Sequence, residues 1–233
     1  MKKTLLIGLP LALVLLAIGF YQAIYVAPTE ATMGEIQRIF YYHFPSAIMA
    51  LLFPYVNFIA SLVFISTRNS NPQRAQAADA LALAAAEMTL VFCTIGLATG
   101  MLWARPVWGI WWTWDERLTS FLMLWLIYVS YLLLRRFTAG GQTQTLAAVL
   151  SIFAAIDVPI VYMSIRWWRT QHPSPVIGGG PNSGLDPSMW PAVLWNLAGW
   201  LVWGITLVSL RYQLERKRQR EQQASVLQAL EAR

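Results

Sequence analysis

The chain contains two histidines, His43 and His172. Between them lies WARPVWGIWWTWDERLT, Trp103 to Thr119, which holds five of the twelve tryptophans and closes on Asp115, Glu116 and Arg117. Neutral imidazoles are good iron ligands, indole faces give broad apolar contact, and guanidinium groups grip carboxylates in a planar fork. If the chain is helical from Pro106 onward, Trp108, Trp111, Trp112 and Asp115 fall at i, i+3, i+4 and i+7 on one stripe, while Trp114 faces elsewhere. These residue types suit a large flat apolar ligand with anionic edges and a metal at its centre, and heme b fits that description. His43 and His172 are then the candidate axial ligands to heme iron. Trp108, Trp111, Trp112, Trp114 and Asp115 form the candidate platform, and Arg105, Arg117, Arg166 and Arg169 are candidate propionate partners. A plain anchoring role stays open beside this reading, because indoles collect at membrane interfaces without a ligand and arginines snorkel to headgroups.

The solvent around those residues follows from composition. Hydrophobic residues make up 57% of the 233 residues and charged residues 12%, about half the charge of a soluble domain. The sequence predicts a polytopic membrane protein in contact with the lipid bilayer. Cys93 is the only cysteine, which excludes a disulfide framework, a CxxC pair and a cysteine metal site. The net charge of +6 comes from cations near the ends of apolar runs and in the tail, so membrane orientation explains it and no nucleic-acid partner is read from it.

Six apolar runs predict an all-α bundle of six transmembrane helices. The first extends from Thr4 to Val26, long enough for a retained span rather than a cleaved signal peptide. The second follows IFYYHFPSA and ends at Ile65, which puts His43 at a helix mouth. The third runs from about Asp79 to Leu102, the fourth from Leu118 to Leu134, the fifth from about Thr143 to Ile165, and the sixth from about Ala192 to Leu210. Gly140 and Gly141 predict a turn, and a loop rich in Pro and Gly carries His172. Residues 1–212 are read as the membrane domain with the tryptophan segment at 103–119, and 213–233 as a basic cytoplasmic tail.

Twelve cations, Lys2, Lys3, Arg68, Arg74, Arg135, Arg136, Arg211, Arg216, Lys217, Arg218, Arg220 and Arg233, fall on the side of the termini. Five, Arg38, Arg105, Arg117, Arg166 and Arg169, fall on the other. The excess of positive charge places both termini in the cytoplasm, so both histidines and the tryptophan segment share the outer face. Trp103, Trp108, Trp111, Trp112, Trp114, Trp167, Trp168 and Trp190 lie at or beyond the outer ends of spans. Trp125, Trp195, Trp200 and Trp203 lie within spans, and none marks a cytoplasmic boundary. An ordinary aromatic belt would decorate both interfaces.

Two acids lie within spans, where charge is costly. Glu87 is about 12 Å from the start of the third span at ~1.5 Å per residue, and pairing with a polar group on a neighbouring helix is favoured over a relay. Asp157, two residues before Pro159, is read as a hydrogen-bonded kink residue in preference to a support for the His172 loop or a helix break. No nucleophile and base pair is legible, and the glycines from Gly178 to Gly180 lack the strand and helix context of a phosphate loop. The residues are expected to hold a ligand rather than to make or break its bonds.

At these residues the sequence resembles a known family. WGIWWTWDERLT resembles the tryptophan-rich signature of heme-handling membrane proteins. YYHFPSA around His43 and SIRWWRTQHPSP around His172 resemble the two histidine regions of the heme exporter protein C family of cytochrome c maturation, a likeness that covers nearly all six spans. The resemblance implies a multi-pass protein of the bacterial inner membrane that binds heme at its periplasmic face through His43 and His172. It implies transfer to a periplasmic heme chaperone of the cytochrome c maturation protein E type. It also implies association with the membrane and ATPase subunits of an ABC-type transporter and with a small membrane subunit. The larger relatives that attach heme to apocytochrome carry further histidines within spans, which this chain lacks. Three alternatives remain at this point: a membrane-bound b-type electron-transfer cytochrome, a small-solute transporter using Glu87 and Asp157, and a purely structural subunit of a transporter complex.

Overall fold

The computed structural model describes residues 4–137, 142–173, 175–177 and 184–231. Gly140 and Gly141, the glycines from Gly178 to Gly180, and Lys2, Lys3 and Arg233 lie outside them. Six helical segments are long and apolar enough to cross a membrane, and the described residues contain no β-strand element. The fold is an all-α bundle.

Helix α1 (Leu9–Tyr21) is extended by π-helical turns at Thr4–Gly8 and Gln22–Val26, which together make the predicted first span. A 3-10 turn at Glu35–Ile39 leads into α2 (Phe40–Thr67). Then come α3 (Pro72–Trp108), α4 (Glu116–Phe137), α5 (Thr143–Trp167) and α6 (Trp190–Glu231). The third helix begins earlier than its hydropathy suggests because Asn71 caps it: its side-chain oxygen accepts the Arg74 backbone N–H at 3.0 Å. Pro72 follows at the first helical position, where a missing N–H costs nothing. Glu87 therefore lies roughly 22 Å along the helix from its start, at ~1.5 Å per residue, deeper than the hydropathy boundary implied. The fifth helix runs unbroken through Pro159. The sixth continues past residue 212 to Glu231 without a break, so the basic tail prolongs the last helix.

Helices α2 and α3 form the central hairpin, with α4, α5 and α6 packed around them and α1 held chiefly by α6. Alanines at 80, 82, 84, 85 and 86, spread around α3, are all buried and let its neighbours come close on every side. Phe53 of α2 and Phe92 of α3 stack with centroids 5.6 Å apart and planes 9° from parallel. Gly204 lets α6 reach that stack, since a Cβ there would lie 2.7 Å from the Phe53 ring. Asn196 of α6 ties down α1 by donating to the Gly19 carbonyl at 2.9 Å, and Gly19 has no side chain to block it.

The bundle has two chemically different ends. Toward the end that carries the termini, acids in the apolar interior are neutralised by cations from neighbouring helices. Asp79 of α3 accepts from Nη1 and Nη2 of Arg135 of α4, the latter at 2.9 Å, with Asp79 buried and Arg135 partly so. Glu87 accepts from Nε and Nη2 of Arg211 of α6, the latter at 2.6 Å. Asn57 of α2 donates to the Ala82 carbonyl at 2.8 Å and accepts from the Tyr128 hydroxyl at 3.2 Å. The opposite end gathers the connections 27–39 and 109–115 and the described residues 168–173, and there the polar groups converge on open space.

Candidate functional site

The site starts from the first turn of α2. His43 faces the α3 backbone at Gly100, where a Cβ would lie 3.2 Å from the ring's Cε1. Its Nδ1 is 2.9 Å from the Thr99 hydroxyl. The Trp103 indole packs edge-on against the imidazole, with centroids 5.8 Å apart, and Phe40 packs on the same indole at 6.0 Å. Pro45 removes one backbone donor from this turn of the helix, and the Ser46 hydroxyl donates to the His43 carbonyl at 2.8 Å.

His172 reaches the same place from the loop after α5. Its Nδ1 is 2.9 Å from the Pro173 carbonyl, and its backbone N–H donates to the Thr170 hydroxyl oxygen at 2.9 Å. Thr170 in turn donates to Asp115 Oδ2 at 3.1 Å. Asp115 also accepts from Thr113 at 3.2 Å and, through Oδ1, from the Leu118 backbone N–H at 2.8 Å. The carboxylate thus caps the N-terminus of α4 and at the same time anchors the turn that carries His172. Desolvation, reinforced by the nearby Arg117 cation, pushes the His172 imidazole down to about 4, against the partial support of Pro173 and Asp115. It is neutral at neutral pH, the form a metal ligand must take.

Both histidines line two neighbouring cavities. The first, about 770 Å³ counting the space open to the outside, runs between α2, α3 and α4 and is walled by Leu97, Val107, Trp108, Trp112 and Phe121. The second, about 690 Å³ on the same count, runs between α2, α5 and the His172 loop, past Phe44, Leu51, Tyr162, Ile165 and Val176. His43, Ala47, Trp103, Arg117, His172 and Pro173 belong to both. The linings of both are mostly apolar with a few polar groups, the make-up of small-molecule and cofactor sites. The Tyr162 hydroxyl donates to the Ile177 carbonyl at 3.1 Å and holds the second cavity's outer wall.

The tryptophan segment departs from the helical stripe drawn for it. Helix α3 ends at Trp108 because Gly109 takes a left-handed conformation, φ 78°, and its N–H bonds to the Arg105 carbonyl at 3.0 Å. Residues 109–115 then turn back over the bundle end without helical structure. Trp108 and Trp112 line the first cavity. Trp111 and Trp114 are 55% and 76% exposed, and neither lines the cavities. The Trp112 and Trp114 rings meet edge to face at 5.6 Å, so the inner and outer indoles are in contact.

The four arginines separate as well. Arg117, the second residue of α4, lines both cavities and donates to the Val161 carbonyl of α5. Arg105 donates to the Gly109 carbonyl and closes the end of α3. Arg166 lies over the Tyr162 ring at 4.8 Å, and Arg169 is exposed. Neither intramembrane acid lines these cavities: Glu87 is held by Arg211, and Asp157 has one buried oxygen, Oδ2, without a hydrogen-bond partner.

A heme fits the donor set that is present. The cavities bring two neutral-imidazole candidates, an apolar wall and a guanidinium together, and the indole N–H groups of Trp103 and Trp112 are buried there with no hydrogen-bond partner. Unpaired buried donors are costly, and the carboxylate edge of a bound ligand is one acceptor that would satisfy them. Thr99, Gly100, Thr170 and Trp103 are the contributors missed by sequence reasoning. Their roles depend on which helix faces which, although Trp103 stood inside the tryptophan run.

Comparison with known proteins gives the family. The sequence profile described as heme exporter protein C matches residues 1–227. The heme exporter protein C of Bradyrhizobium diazoefficiens is 36% identical over 214 residues, covering 90% of this chain and 78% of that protein. Its counterpart in Escherichia coli strain K12 is 31% identical over 201 residues, 86% of this chain and 78% of that protein. The Rhodobacter capsulatus protein of the same name is 30% identical over 220 residues, 92% and 85% of the two chains. With six spans and a match along nearly its whole length, this multi-pass membrane chain belongs to the heme exporter protein C family, which handles heme for cytochrome c maturation.

Proposed function

We propose that the chain binds heme b at the cavity end of the bundle, with His43 and His172 as axial ligands, and presents it at the periplasmic face of a bacterial inner membrane to a periplasmic heme chaperone. The observation that carries this reading is the convergence of the chain's entire histidine content on two shared cavities, beside the Arg117 guanidinium that lines both and two unpaired indole donors. In it, Trp108 and Trp112 hold the apolar face, and Arg117 with the indole N–H groups of Trp103 and Trp112 receives the propionates. Exposed Trp111 and Trp114 form the rim that the chaperone meets. When bound, heme supplies a vinyl edge for attachment to the chaperone's histidine. The side chains of this protein orient that edge and exclude water from the apolar wall. The ABC-type transporter subunits and the small membrane subunit would dock elsewhere on the bundle.

Visible absorption of the detergent-purified full-length protein, alone and co-expressed with the chaperone, tests the proposal. Wild type should carry a six-coordinate heme spectrum, and His43→Ala and His172→Ala should each change the ligation. A heme spectrum indifferent to both substitutions, or no heme in any preparation, overturns it. The pairing of Glu87 with Arg211 leaves a transporter relay through that acid without its free carboxylate.

A further inference from the structure

We infer that Thr99 is the positioning residue for His43: it holds the imidazole as its Nδ1–H tautomer and so makes Nε2 the nitrogen offered to iron. The consequence for iron rests on the heme reading above; the tautomer does not. A threonine hydroxyl has one proton to give, and here it is committed. Oγ1 donates to the Ile95 carbonyl of its own helix at 2.7 Å, with the Gly96 carbonyl at 3.3 Å as a longer second acceptor. The 2.9 Å contact with Nδ1 must then run from the ring to the hydroxyl oxygen, which has lone pairs to spare. A neutral imidazole bears a single N–H, so Nε2 keeps its lone pair.

The packing fixes which edge of the ring is which. The absent Cβ of Gly100 leaves room for the Nδ1–Cε1 edge against α3, 3.7 and 3.2 Å from where that Cβ would be. The Trp103 ring stands edge-on beside it. The His172 ring is in the same tautomer for a different reason: its Nδ1 faces the Pro173 carbonyl at 2.9 Å, and a carbonyl only accepts. Both rings therefore spend Nδ1–H on the protein and keep Nε2 for a ligand. The difference is that the acceptors around His43 include a side chain, which substitution can remove, beside the backbone of Gly96, whereas that for His172 is backbone alone. An N–H to oxygen bond on the far nitrogen orients a metal-bound imidazole and raises its basicity, which favours the ferric state.

The tautomer is read without heme. In full-length protein labelled with 15N-histidine, His172→Ala leaves His43 as the sole histidine, and its nitrogen shifts should report a protonated Nδ1 and an unprotonated Nε2. Thr99→Val, which keeps the shape and removes the acceptor, should move the population toward Nε2–H, and Thr99→Ser should restore the wild-type pattern. In heme-loaded protein with both histidines, Thr99→Val should weaken heme retention about tenfold and raise the reduction potential, with Thr99→Ser close to wild type. An Nε2–H ring in the Thr99-containing protein overturns the inference, and needs no folded Thr99→Val variant. An unchanged tautomer in Thr99→Val hands the role to a backbone carbonyl and overturns it equally. An Nδ1–H ring whose replacement leaves the heme spectrum untouched would instead remove the axial-ligand reading while the tautomer stands.

Discussion

At the scale of single residues, the His172 imidazole is kept neutral first by desolvation and then by the Arg117 charge. The unfolded imidazole takes its proton near ~6.5, and the folded one only near about 4, first because it is desolvated and second because Arg117 stands by. Between those values the unfolded chain binds more protons, so falling pH weakens the folded arrangement across that window and the full contribution is present above it. Replacing Arg117 with Gln removes the second cause and leaves the first. The His172 midpoint in a His43→Ala background, followed by NMR, should rise from about 4 part of the way toward ~6.5. A midpoint that stays put would mean that Arg117 does not act on this ring. Both residues were legible beforehand, since histidine is scarce here and Arg117 ends the tryptophan run. It could not separate Arg117 from Arg105, Arg166 and Arg169. All four stand near span ends, and only the tertiary arrangement turns one of them toward the cavities.

At the scale of elements, Asp115 does two jobs that sequence reasoning assigned to one aromatic stripe. It caps α4 through the Leu118 N–H and anchors the His172 turn through Thr170. Asp115→Ala should lower stability by about 1 kcal/mol for the lost cap and also change the heme spectrum. Thr170→Val should change the spectrum with little effect on the melting temperature. Thermal denaturation and absorption of the two variants side by side separate the jobs, and equal effects of both on both readouts would dissolve the distinction. The helical stripe from Trp108 to Asp115 failed for a reason already present in the sequence. Gly109 follows an arginine in the last turn, which is a helix stop signal, but the spacing of the indoles outweighed it. The start of α3 was missed similarly, because Asn71 and Pro72 lie before the apolar run that hydropathy detects. The spans themselves were legible, since hydropathy depends on composition over whole helices and tolerates errors of a turn at either end.

At the scale of the whole molecule, the bundle is polarised. Acids toward the terminal end are matched by arginines from neighbouring helices, as in the pairs Asp79 with Arg135 and Glu87 with Arg211. The opposite end leaves Trp103 and Trp112 donors unpaired around open space. One end is closed on itself and the other is prepared to accept something, so the direction in which the bundle sits decides which compartment the site serves. The charge asymmetry between the loops argues that the cavity end faces the periplasm, and the protein carries a convenient means of testing it. Its only cysteine, Cys93, is buried in the bundle core, so the native chain should give little background with a membrane-impermeant maleimide. A cysteine placed by Trp114→Cys, at a side chain 76% exposed beyond the cavity, should label when only the periplasm is accessible. One placed by Asn69→Cys, in the exposed turn between α2 and α3, should label only after the membrane is breached. The reverse pattern would turn the cavities toward the cytoplasm and exclude direct presentation to a periplasmic chaperone, whatever the heme spectrum shows.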